Sequence, residues 1–152
     1  MIKKVVELFP GRAAGFYTRE VRERGERVGF EIVNLDGKKA WLSHVDFPGP
    51  HRVGKYGVSL ENLHRVALPA LEGAPDIDLV VVDEIGKMEC LSAEFVAAME
   101  RLCTAPTPLI ATVAEKGGGL MARIKEKPGV TLITVTPANR DALPARLIRM
   151  LE

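Results

Sequence analysis

The chain has 152 residues, 47% of them hydrophobic and 27% charged, with a formal net charge of +1. That length suits one domain around one core, the composition argues against disorder, and the near-neutral charge supplies no general field for nucleic acid. No run approaches the roughly 18 apolar residues of a membrane span, so a cytoplasmic protein without a membrane partner is expected.

From the N-terminus, Ile2, Val5, Val6 and Phe9 recur at helical spacing before Pro10-Gly11, which predicts a short amphipathic helix. Character changes over about 15–45. Phe16, Thr18 and Val21, then Val28, Phe30, Ile32 and Val33, then Trp41, Leu42 and Val45 form β-prone runs. Arg24-Gly25-Glu26 and Asp36-Gly37-Lys38 separate them, so an antiparallel three-stranded excursion is expected. Phe47 to Gly57 holds two prolines and three glycines and reads as a loop. Ser59 is positioned to cap a helix carrying Leu60, Leu63, Ala67 and Leu71, which Pro69 should kink or end.

Leu79-Val80-Val81-Val82-Asp83-Glu84-Ile85-Gly86-Lys87-Met88-Glu89 organises the remainder. Its four aliphatic residues predict a strand buried on both faces, and its two acids then lie at the strand's carboxyl end, where open α/β sheets bind ligands. Beyond it come a helix from near Ser92, a strand Leu109–Val113, a glycine run into a helix near 120–127, a strand Val130–Val135 and a last helix to Glu152. This alternation predicts a mostly parallel sheet with flanking helices.

Asp83 and Glu84 suit phosphate chemistry: Asp83 to hold hydrated Mg2+ through a water, Glu84 to polarise the attacking water. A solvated acidic turn is the bland alternative. Thr112, at the tip of its strand, is placed either to sense a terminal phosphate or to hold the lytic water, or is simply a strand residue. Asn139 and Arg140, with Asp141, are candidates for reading or stacking on a base, or form a helix cap. Gly49 to Lys55 spells GPHRVGK, a near miss to the phosphate-binding GxxxxGK[ST], because Tyr56 follows where a magnesium-binding hydroxyl is needed. Arg52 and Lys55 are better taken as a basic loop approaching a substrate. His44, His51 and His64 are scattered, and Cys90 and Cys103 lack a CxxC spacing. Dispersed basic residues and few aromatics make nucleic acid an unexpected partner.

Gly15-Phe16-Tyr17-Thr18-Arg19-Glu20-Val21-Arg22, Arg52-Val53-Gly54-Lys55-Tyr56-Gly57-Val58, Val82-Asp83-Glu84-Ile85-Gly86-Lys87-Met88-Glu89 and Asn139-Arg140-Asp141 together resemble, in order and spacing, the small P-loop nucleoside-triphosphatases of the thermophile type, which have a cancer-related relative in animals. The resemblance implies an additional-strand P-loop fold of the RecA-like class and magnesium-dependent hydrolysis of several nucleoside triphosphates, ATP and GTP among them. It makes Asp83-Glu84 a Walker B element and Lys55, Asn139 and Arg140 nucleotide contacts. Such proteins open with a strand and a glycine-rich loop running into the helix matched here by Ile2 to Phe9, so hydrolysis by the chain as given is expected to be impaired. Residues lacking at the front, a degenerate non-hydrolysing nucleotide- or protein-binding module, and a neighbouring chain lending an edge by self-association are the three readings. Without a central strand, those matched by Leu109–Val113 and Val130–Val135 would stand about 10 Å apart with unpaired backbone between them.

Overall fold

A computed structural model describes residues 1–152 and arranges them around one seven-stranded sheet. The elements run α1 (Ile2–Leu8), β1 (Ala13–Glu23), β2 (Glu26–Asn34), β3 (Lys39–His44), β4 (Arg52–Val53), β5 (Tyr56–Val58), α2 (Leu60–Leu71), β6 (Leu79–Ile85), α3 (Ala93–Thr104), β7 (Leu109–Val113), α4 (Leu120–Glu126) and α5 (Leu143–Met150). Across the sheet the order is β4-β5-β3-β2-β1-β6-β7. The sheet is mixed. β6 is parallel to both β1 and β7, and every pairing outward from β1 is antiparallel.

β6 shows why this sequence folds this way. Leu79, Val80, Val81 and Val82 are all fully buried, and because side chains alternate along a strand they feed two different cores. Val80 and Val82 join Phe16, Leu63, Phe95 and Met99 under α2 and α3. Leu79 and Val81 join Ile2, Val5 and Ile110 on the opposite face, where Leu147 and Ile148 of α5 also pack. The Ser59 cap anticipated from the sequence is present, Oγ accepting from the Asn62 amide at 3.1 Å, and Ser92 caps α3 in the same way, Oγ accepting from the Phe95 amide at 3.0 Å. The Asp36-Gly37 turn is fixed by buried Asn34, whose Oδ1 accepts from the Asp36 and Lys38 amides while its Nδ2 donates to Val66 O on α2.

Two expectations are corrected. The stretch 47–57 is not wholly loop, because Arg52–Val53 and Tyr56–Val58 form a tight hairpin that pairs onto β3 and carries the antiparallel excursion to residue 58. Val130–Val135 is not a strand: it makes no strand pairing, and Val130, Leu132 and Val135 are 37%, 54% and 48% exposed. A strand exists only against a partner, and this stretch has none: β7 ends the strand order and pairs with β6 alone.

Gly15 is the tightest backbone approach in the sheet. Its φ is +131°, and a Cβ there would stand 1.8 Å from Val81 O on β6. Gly15→Ala is therefore expected to cost at least about 3 kcal/mol, from backbone strain and a forced separation of β1 from β6. Urea unfolding checks this, and a loss within experimental error of zero would contradict the pairing.

Candidate active site

The parallel β6 and β7 end side by side, with Val82 opposite Ala111. The next residue on each strand is therefore polar and adjacent: Thr112 Oγ1 donates to Asp83 Oδ1 at 2.6 Å. Glu84 follows across a cis peptide and reaches solvent. Partial burial raises the Glu84 carboxyl above its ordinary range, and the Asp83 charge adds to this.

The turn after β6 brings in a third acid. Gly86 N donates to Glu89 Oε1 at 3.1 Å, and Cys90 N donates to Gly86 O at 3.0 Å. Glu89 is only 3% exposed. Burial, aided by the Glu84 charge and opposed by the hydrogen bonds it accepts from backbone amides, pushes its carboxyl up to about 8, so it holds a proton at neutral pH. Beside Glu84 and Glu89 opens a cavity of about 230 Å3 with Phe30, Leu42, Val53 and Met88 on its apolar wall and Lys87 and Lys116 among its lining. The excursion β2–β4 thus supplies the wall that Glu84 faces.

No group of three or more histidine, cysteine, aspartate or glutamate side chains forms a direct metal cage. One carboxylate held by one hydroxyl is nonetheless a donor set suited to hydrated Mg2+, which keeps several waters and binds through one or two carboxylates and substrate phosphates. Asp83 and Thr112 fit that ion.

Of the residues singled out from the sequence, the fold brings Asp83, Glu84 and Thr112 together. Arg52 is engaged with backbone, its guanidinium donating to Phe47 O at 3.0 Å and Lys55 O at 2.9 Å. Lys55 lies at the tip of the β4–β5 hairpin with Nζ 5.6 Å from the Tyr56 ring centroid. Asn139 caps its own turn: Oδ1 accepts from the Thr136 amide at 2.8 Å and Nδ2 donates to Thr134 O at 2.8 Å. Arg140 is 66% exposed, 3.8 Å from Asp141. No hydrogen bond or ion pair joins Arg52, Lys55, Asn139 or Arg140 to Asp83 or Glu84.

Sequence reasoning gave Glu89 no role. The available signal was an acid set within the apolar run Met88-Glu89-Cys90-Leu91. A second polar set is structural: His64 Nε2 lies 2.7 Å from Ser92 Oγ, with Glu94 adjacent, but Ser92 is fully buried and caps α3, so no substrate reaches it. Burial also raises both thiols, Cys90 to about 11, which disfavours the reactive thiolate.

The family model described as NTPase matches residues 1–148. The nucleoside-triphosphatase THEP1 of Thermotoga petrophila is 41% identical over 153 residues, spanning 100% of this chain and 85% of the relative. The crystal structure of THEP1 from the hyperthermophile Aquifex aeolicus matches with a TM-score of 0.90 at 34% identity, over 99% of this chain and 90% of that one. The solution structure of a human cancer-related nucleoside triphosphatase matches with a TM-score of 0.81 at 33% identity, over 99% and 89% respectively.

Glu89 gives the fold a pH signature. Between its ordinary value of 4.5 and about 8 the folded state keeps a proton that the unfolded chain releases, so its contribution to stability is full below that window and is lost as pH rises through it. Glu89→Gln should remove this slope, so the variant gains on wild type across the window and holds the gain above it. Denaturant titrations at stepped pH check this; parallel stability curves would contradict the buried acid.

Proposed function

The chain belongs to the NTPase family, and from that premise we propose that it is a magnesium-dependent nucleoside-triphosphatase, cleaving NTPs to diphosphate and phosphate with broad tolerance of the base. The P-loop NTPase fold of its relatives is the frame for this reading. The observation that carries it is the Thr112–Asp83 hydrogen bond at the carboxyl end of β6, with Glu84 next in the chain.

In this reading Asp83 and Glu84 form a Walker B element. Asp83, oriented by Thr112, would hold hydrated Mg2+. Magnesium, when bound, supplies charge neutralisation on the phosphates. Glu84 orients the attacking water and accepts its proton as the water oxygen bonds to the γ-phosphorus and the electron pair of the broken P–O bond leaves on the nucleoside diphosphate. A carboxyl held above its usual range is a stronger proton acceptor once ionised, which suits that task.

Lys55 is the proposed charge approaching the phosphates, with Arg52 shaping its turn through the Lys55 carbonyl. Arg140, exposed beside Asn139, is proposed to stack on the base. The Asn139 amide is engaged with Thr134 and Thr136, which leaves Arg140 the freer of the two for a base. Two free cysteines suit a reducing, cytoplasmic setting. The unpaired edge of β7 is where self-association would occur.

Engagement of the Arg52 and Asn139 donors with their own backbone carbonyls favours a second reading, a nucleotide- or protein-binding module without turnover, which calorimetry would reveal as binding without phosphate release.

At saturating Mg-ATP or Mg-GTP, phosphate release is expected to exceed that of Glu84→Gln by at least about tenfold and to vanish with EDTA. Equal rates in wild type and Glu84→Gln would overturn the hydrolytic reading.

A further inference from the structure

We propose that Glu89 is a positioning residue for Glu84, and that residue 86 is glycine because these two carboxyl groups occupy the space its side chain would fill. This inference rests on Glu84 being the water-orienting carboxylate.

Three observations converge on the turn 84–90. A Cβ on residue 86 would stand 2.9 Å from Glu84 Oε1 and 2.9 Å from Glu89 Oε1, so both carboxyl groups face the same small volume. Gly86 is not in the left-handed region of backbone space. Its lack of a side chain therefore answers a need for room rather than for conformation. Finally, the turn is clamped from both ends of one residue: the Gly86 amide donates to the Glu89 carboxyl, and the Gly86 carbonyl accepts from the Cys90 amide.

A carboxyl buried to this extent is costly unless it has a task. Here it satisfies a buried amide and forms part of the wall behind Glu84. The charged groups around it are Asp83 and Glu84 at the end of β6 and Lys87 and Lys116 around the shared cavity. Because Glu89 is neutral at pH 7, it can stand beside two carboxylates without a third negative charge. A leucine or alanine there would leave the Gly86 amide without its acceptor, and an alanine would also open room for Glu84 to swing away from the attacking water.

The experiment compares Glu89→Gln, Glu89→Ala and Gly86→Ala by crystal structure and by steady-state Mg-ATP hydrolysis. Glu89→Gln keeps an acceptor for the Gly86 amide and should retain kcat within about threefold, whereas Glu89→Ala and Gly86→Ala should lower kcat by about tenfold to a hundredfold at little-changed KM. The same two variants should show the Glu84 carboxyl displaced. Should Glu89→Ala fail to fold, Glu89→Leu, which removes the acceptor of the Gly86 amide at similar volume, carries the same test, while Gly86→Ala tests only the space reserved for the two carboxyl groups.

Glu84 unmoved in the variant structures would overturn the proposal. A Glu89→Gln variant as slow as Glu89→Ala would also overturn it, because the proton or charge of Glu89 rather than its geometry would then be at work. If wild type releases no more phosphate than Glu84→Gln, the hydrolytic reading fails by itself and the structures alone decide: a displaced Glu84 supports the positioning role and an undisplaced one defeats it.

Discussion

The burial of β6 on both faces is the constraint from which the rest follows. Val80 and Val82 anchor the core under α2 and α3, while Leu79 and Val81 anchor the one under α1 and α5. With both faces closed and β1 and β7 hydrogen-bonded to its edges, the strand has only its carboxyl end open. Two acids at that end remain near water while the residues behind them are dry. The low-polarity wall that raises the Glu84 carboxyl and the fully enclosed site that raises Glu89 are thus consequences of the same packing.

The parts of the fold legible in the sequence are those set by short-range pattern. The aliphatic run of β6, the helical stripes, the Ser59 cap and the glycine-bearing turns each depend on neighbours within a few residues. The β4–β5 hairpin escaped because strands of two and three residues carry no periodicity, and proline and glycine dominate the region around them. Val130–Val135 misled in the opposite direction. Its β-branched residues state a preference, but strand formation depends on a partner that local sequence cannot supply.

The site divides the same way. Asp83 and Glu84 were legible because a buried strand must end somewhere, and its end is where polar groups emerge. Thr112 could be named as a strand-tip residue, but its bond to Asp83 required the register that sets Val82 against Ala111. Arg52 and Asn139 looked like ligand-reading side chains; in the fold their donors hold neighbouring carbonyls, a local competition that residue type does not reveal. Glu89 stayed hidden for a different reason. Whether an acid is exposed or enclosed is decided by the turn that carries it and by the residues that close over it, and only the assembled turn shows its carboxyl bonded to Gly86.

The central claim is that metal and nucleotide meet where β6 and β7 end. Titrating the isotopically labelled protein with Mn2+ and ADP tests it directly, because paramagnetic broadening falls steeply with distance from the ion. The account predicts the strongest loss of amide signal at Asp83, Glu84 and Thr112. Broadening centred elsewhere, with those three amides unaffected, would contradict it.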